Sequence, residues 1–129
     1  MNIRPGIWTP ETESLIKSAL ATATIDDMKA QVKAGAKLFV LTDEDAELMG
    51  AFILRVDTLA GRNEGVIVAA GGAVNGVDIT AEILPYVEKM FIGCETIRIH
   101  TERIGLAKKL FKEGYLVGEL ILIKELCNG

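Results

Sequence analysis

The sequence predicts an α/β (α+β) domain built on a mixed central sheet, with helices on both faces. Three observations carry that expectation. Two short amphipathic helical segments precede three strands joined by tight turns, the pattern of an antiparallel meander. A glycine-bearing stretch, Ala70–Asp78, then leads into another helical segment. Finally, Cys94 to Leu126 reads as a strand, a basic amphipathic helix, a Gly114-Tyr115 stop and an apolar last strand.

Each element has a local cause. Thr9-Pro10-Glu11 opens the first helix, with Thr as N-cap, Pro at the first helical position and a carboxylate at the positive end of the dipole. Leu15, Ile16, Ala19 and Leu20 form its apolar stripe. Thr24 opens the second helix, with Asp26 and Asp27 in the first turn, Ile25, Met28 and Val32 facing inward, and Gly35 as the stop. Lys37–Thr42 is a short apolar strand. Asp43–Glu47, four carboxylates in five residues, is an acidic turn. Leu48–Leu59 is a long strand with Gly50 marking a bulge. Ala60–Gly65 turns the chain, and Val66–Ala70 is the third strand. After a Gly71-Gly72 loop, Ile79, Ile83, Leu84, Val87, Met90 and Phe91 recur at helical spacing, and Pro85 implies a kink or a late start. Glu95–His100 follows a helical crossover, so it is expected to lie parallel to Val66–Ala70.

The last helix, Arg103–Glu113, is expected to bury Ile104, Ala107, Leu110 and Phe111, and to expose Arg103, Lys108, Lys109 and Lys112. Leu120-Ile121-Leu122-Ile123 shows no alternation, so both faces of the final strand need cover. A homo-oligomer formed through this C-terminal strand is one expected source of that cover.

Composition narrows the function classes. The 129 residues suffice for one domain, 1–129, with a core that needs no disulfide or metal. Half the residues are hydrophobic, yet no apolar run approaches the ~20 residues of a membrane span. The first residues lack the apolar stretch of a secretory signal. Cys94 and Cys127 form no CxxC pair and the chain has a single His, so no zinc site is expected and both thiols suit a reducing compartment. A net charge of −4 disfavours nucleic acid as a partner. The setting expected is cytoplasmic.

The element order, antiparallel first and parallel across the fourth and fifth strands, resembles the GCN5-related N-acetyltransferase (GNAT) superfamily. The resemblance runs from Ile3-Arg4-Pro5, which looks like the family's short first strand, to Lys124-Glu125-Leu126. The ending "IHTERIGLAKKLFKEGY" is similar to that of compact GNAT-like proteins of bacteriophages, which implies a host-cytoplasmic or virion-associated protein. The resemblance implies acetyl-CoA held between two splayed parallel strands. Its pyrophosphate would lie on the backbone N–H groups of a loop of the form Arg/Gln-x-x-Gly-x-Gly/Ala, where helix dipole and free amides attract a polyanion.

The equivalent stretch here is Ala70 to Asp78, which makes Ala70, Gly71, Gly72, Ala73, Gly76 and Val77 the candidate cofactor contacts. Ala73 falls at the Arg/Gln position, Gly76 at the first glycine and Asp78 at the last small residue, so one position of three matches. Asp78 caps the helix and puts a carboxylate where a phosphate would come. The family's Asn and acid Tyr fall at Arg103 and Leu110, and a Leu side chain donates no proton. Arg103 remains a candidate cofactor contact as a cation beside the loop. His100, at the end of the parallel strand, and Glu64, before the Val66 strand, are the candidate general bases. Arg98 to Lys112 holds five Lys/Arg against one acid, a face suited to the CoA 3′-phosphate, an acidic protein partner or solvent.

Two functions follow. One is a degenerate GNAT-fold protein used as a non-catalytic binding or assembly module. The alternative is an acetyl-CoA-dependent N-acetyltransferase that works mainly by holding amine and thioester together.

Overall fold

A computed structural model of the protein describes residues 1–20, 23–101, 103–119 and 121–126. The elements run β1 (Asn2–Pro5), α1 (Pro10–Lys17), α2 (Ile25–Lys33), β2 (Lys37–Thr42), β3 (Leu48–Leu59), β4 (Arg62–Val74), β5 (Val77–Asp78), α3 (Thr80–Glu88), β6 (Thr96–Ile99) and α4 (Ile104–Lys112). The sheet is mixed. β1 to β4 pair antiparallel in chain order, and β6 lies parallel to β4, with Val66 opposite Arg98.

The helix starts follow from their caps. Thr9 Oγ1 accepts from Thr12 N at 3.1 Å, with Pro10 in the first turn. Thr24 and Asp27 form a reciprocal capping box at 3.1 and 2.8 Å. Lys29 bridges to Glu13 at 2.6 Å and ties α2 to α1. No helix among the described residues is long and apolar enough to cross a membrane.

Helices cover both faces. On one side α1 and α2 pack Ile16 and Met28 on Leu38, Val40, Ala51, Ile53 and Ala69. On the other, α3 and α4 pack Ile83, Leu84, Val87, Leu106 and Leu110 on Leu41, Phe52, Leu54 and Ile67. A fully buried Phe or Leu of this kind contributes about 1.5–3 kcal/mol.

The structure departs from the sequence expectations in several places. β4 begins at Arg62 and runs to Val74, so Gly71 and Gly72 are strand residues opposite Ala51 and Gly50, not a loop. Their lack of a Cβ lets helices press on the strand from both sides. The chain then turns at Asn75-Gly76, both at positive φ (52° and 78°), and pairs back as the two-residue β5. That is the preferred geometry of a two-residue hairpin.

The helix α4 is rotated from its expected setting. Leu106 and Leu110 are buried, while Ile104 and Phe111 face outward. The expected last strand is also absent from the described residues: 116–119 and 121–126 belong to no strand or helix. Leu120, also assigned to that strand, and Cys127 lie outside the described residues.

Other expectations hold. An extra residue, Met49, interrupts the β2–β3 register beside Gly50. The helix α3, by contrast, does not begin late: it starts at Thr80 and carries Pro85 in its interior. Tyr115 packs against the α3–α4 core.

Candidate functional site

The candidate site lies where β4 and β6 part. Their parallel pairing spans Glu64–Ile67 against Thr96–Ile99 and then stops. At that point Val68 is an extra residue opposite β3, because Ile53 pairs with Ala69 and Leu54 with Ile67. This bulge turns the strand. Beyond it β4 keeps its pairing with β3 but no longer pairs with β6, which leaves that flank open toward the N-terminal ends of α3 and α4.

Arg103, the residue before α4, fills that opening. Its Nη2 donates to the Ala70 carbonyl at 3.2 Å, and its Nη1 to Asp78 Oδ2 at 3.0 Å and Thr80 Oγ1 at 3.4 Å. Arg103 is held there because its own N–H bonds Thr101 Oγ1 at 3.0 Å. Only 29% of its side chain is exposed.

The N-terminus of α3 is closed from within. Asp78 Oδ1 accepts from Thr80 N at 2.8 Å and from Thr80 Oγ1 at 2.6 Å. The same hydroxyl accepts from Gly72 N at 3.3 Å, and Ile79 N bonds the Gly72 carbonyl at 2.9 Å. Partial burial works to raise the Asp78 pKa. The hydrogen bonds from the Thr80 hydroxyl and amide and the charges of Arg103 and Lys109 outweigh it, so the carboxyl lies below its ordinary value.

A second charged cluster sits lower on the α1–α2 face. Asp57 accepts from Arg55 at 2.8 and 3.2 Å and from Arg98 at 3.3 Å. The Arg55 hydrogen bond, against some burial and with help from the Arg55 and Arg98 charges, lowers its pKa. This cluster borders an open groove of about 710 Å³ lined by Gln31, Gly35, Lys37, Arg55, Asp57 and Phe91, toward the other end of β3 from the cleft.

An acid titration follows from the two carboxylates. A lowered folded pKa contributes stability that is complete above the unfolded value and is lost as pH falls through the folded one. Melting temperature should therefore drop as pH falls below the ordinary carboxyl value of 3.8. Arg103→Gln should flatten that fall by removing a charge that holds the Asp78 carboxyl down. An unchanged melting-temperature profile in the variant would count against the Asp78 pair.

Of the sequence-derived candidates, Arg103 reaches the Ala70 carbonyl, Gly72 bonds Thr80, and Ala73 pairs with Asp78, whereas Val77 is exposed in β5 opposite Val74. Gly71 instead faces α1, and Gly76 is the exposed tip of the hairpin. Arg103, expected from the sequence to be exposed, points inward because Asp78 and the Ala70 carbonyl offer it partners. Glu64 is a strand residue, not a turn residue beside Arg62. It accepts from Thr96 Oγ1 at 3.3 Å and pairs with Arg98 at 3.5 Å.

His100 lies just past β6 and is exposed. Glu64 sits opposite Thr96, four residues before His100, about 13 Å along the strand, so the two candidate bases do not share a site. Leu110 is buried in the α3–α4 core. Tyr115 donates to Glu88 at 3.0 Å at the far ends of those helices, and burial with the Glu88 charge holds its phenol well above the ordinary value. Thr80 escaped the sequence reading. Its signal was Asp78-x-Thr80 at the head of a helical pattern, a local cap.

No family model matches the sequence, and no curated protein matches it. Solved structures do match. A candidate acetyl transferase from Pyrococcus furiosus aligns with a TM-score of 0.63 at 20% identity, covering 97% of this chain and 99% of that one. A GNAT family acetyltransferase from Staphylococcus aureus aligns at 0.58 and 14%, covering 98% and 100%. Glucosamine-6-phosphate N-acetyltransferase from Arabidopsis thaliana aligns at 0.61 and 11%, covering 98% of each. The class defined by topology and these likenesses is plain: the chain has a GNAT-like fold.

Proposed function

We propose that this chain is a GNAT-fold protein that does not transfer acetyl groups and works as a binding or assembly module. The observation that carries the reading is the filled cleft. Arg103 takes the Ala70 carbonyl on the flank of β4 that β6 leaves unpaired, and Asp78 takes the first amide of α3. A CoA pyrophosphate arriving at this helix would meet a carboxylate and amides already engaged in the hairpin. Fold alone does not license the activity. What supports a phage setting, in the host cytoplasm or the virion, is the resemblance of the stretch IHTERIGLAKKLFKEGY to compact GNAT-like proteins of bacteriophages. The assembly partner is another protein surface, and the C-terminal segment makes a second copy of this chain the leading one.

The test is a titration of CoA and acetyl-CoA by calorimetry and thermal shift. A ligand present at 100 times its dissociation constant stabilises by about 2.7 kcal/mol, an easily read rise in melting temperature. The expected result is no rise at millimolar CoA. A saturable isotherm would overturn the proposal in favour of an acetyl-CoA-dependent N-acetyltransferase.

A further inference from the structure

We infer that the free edge of β3 binds an extended segment of another protein, which joins the sheet in line with β2 and carries an apolar and an acidic residue. This surface is separate from the cleft and from the C-terminal segment, so it stands whether or not CoA binds.

β3 outruns its neighbour. β2 begins at Lys37, opposite Leu54, whereas β3 continues to Leu59 with only β4 beside it. The hairpin turn fixes which backbone groups face the vacant edge. Ala60 and Gly61, both at positive φ (53° and 77°), form a two-residue turn, so Leu59 and Arg62 exchange both backbone hydrogen bonds. Along an antiparallel ladder such residues alternate with ones whose backbone groups turn outward. Val56 and Thr58 therefore aim N–H and C=O away from β4, and no other backbone group among the described residues takes them. A strand edge of this kind is a template for another chain.

The groove along this edge defines the chain that fits. Its volume is about 710 Å³, and Leu54, Val56, Met90 and Phe91 give it an apolar lining. Val56 is 53% exposed and Met90 37%, while Leu54 and Phe91 are buried. An apolar side chain laid along the edge would cover the first two. Lys37 also lines the groove, on the same face of β2 as Phe39. It makes no ion pair among the described residues, whereas Arg55 is paired with Asp57. An acidic residue on the incoming segment would match this one uncompensated cation. Main-chain pairing then supplies affinity, and alternate side chains supply selectivity.

Other occupants fit less well. The chain's own tail stands at the other edge of the sheet. Glu119 lies 3.8 Å from Arg98 on β6, with β4 and β3 between that strand and the free edge. A second copy using the same edge meets its own charge. The two-fold register that sets Val56 against Thr58 opposes each copy's Asp57 to the other's, and like charges directly opposite destabilise a pair. A register shifted toward β2 is blocked, because Leu54 is already paired with Lys37.

The experiment screens the full chain against a random library of synthetic peptides of ~6 residues, the length of an ordinary strand, with binding read by fluorescence anisotropy. Selected peptides are expected to combine an apolar with an acidic residue and to slow hydrogen exchange at the Val56 and Thr58 amides. Methylating the backbone nitrogens of a selected peptide should abolish its binding. Val56→Pro removes one outward N–H at an open edge, where proline is tolerated, and should weaken the peptide about tenfold with the melting temperature retained. If that variant fails to fold, exchange protection in the parent chain decides. Lys37→Glu should turn the selected charge from acidic to basic. A library without a binder at millimolar peptide, binders that protect amides elsewhere, or binding indifferent to backbone methylation would overturn the inference. So would a dimer in light scattering whose contact protects Val56 and Thr58. None of these results bears on the CoA titration.

Discussion

Gly71→Ala is expected to destabilise the protein by ~3 kcal/mol or more, lowering the melting temperature by about 10 °C. Gly71 is a β4 residue opposite Ala51, on the face that α1 covers. A Cβ built there would overlap the Leu15 carbonyl oxygen and lie 2.9 Å from its carbon and 3.1 Å from Ser18 Oγ. The obstacle is helix backbone, which has no rotamer to escape into, so α1 must lift from the sheet. Lifting it opens the cluster around Ile16, Met28 and Ile53, all buried. Gly72→Ala supplies the contrast. Its Cβ would meet Ile83 Cδ1 at 3.0 Å, the end of a side chain, and backbone only at 3.3 Å, the Met49 carbonyl oxygen, so a smaller loss is expected. Melting curves that rank the two variants equally, or Gly71→Ala with the parent, would show that α1 is not seated as described.

This pair of glycines marks where sequence reading reached its limit. A Gly-Gly step ahead of a helix suggests a loop that approaches a ligand closely. The same residue type serves just as well where a helix approaches a strand closely, and only the tertiary arrangement distinguishes the two uses. The caps at Thr9 and Thr24 were legible because their causes are local. The parallel placement of Glu95–His100 was legible because a crossover fixes handedness. The face of α4 was not. Ile104, Leu106, Leu110 and Phe111 allow two apolar stripes, and the choice fell to Leu106 and Leu110, which meet the α3–α4 core. Arg103 was read as part of a solvated basic face for a similar reason. Its partners, the Ala70 carbonyl and Asp78, are 33 and 25 residues away. The final strand failed for a different reason: an apolar run predicts a need for cover and says nothing about which chain supplies it.

Asp78→Gly is expected to lower stability by ~1–2 kcal/mol without creating a CoA site. Most of the loss is the cap, since the carboxylate holds the Thr80 amide and hydroxyl. The ion pair with Arg103 adds less than ~1 kcal/mol, because the Asp78 side chain is 61% exposed and solvent screens it. A double-mutant cycle with Arg103→Met isolates that part. Removing the carboxylate relieves the repulsion a phosphate would meet, so electrostatics alone would predict new binding. Geometry predicts otherwise. Ala73 and Val74 still pair with residues 78 and 77, and Ile79 N still bonds the Gly72 carbonyl. The backbone amides that would have to converge on a pyrophosphate therefore remain committed to a hairpin. Arg103 also keeps its bond to the Ala70 carbonyl and continues to fill the cleft. Calorimetry of Asp78→Gly with CoA separates the two accounts. A flat titration means that the hairpin excludes the cofactor, whereas a saturable one means that a single carboxylate is what stands between this fold and its cofactor.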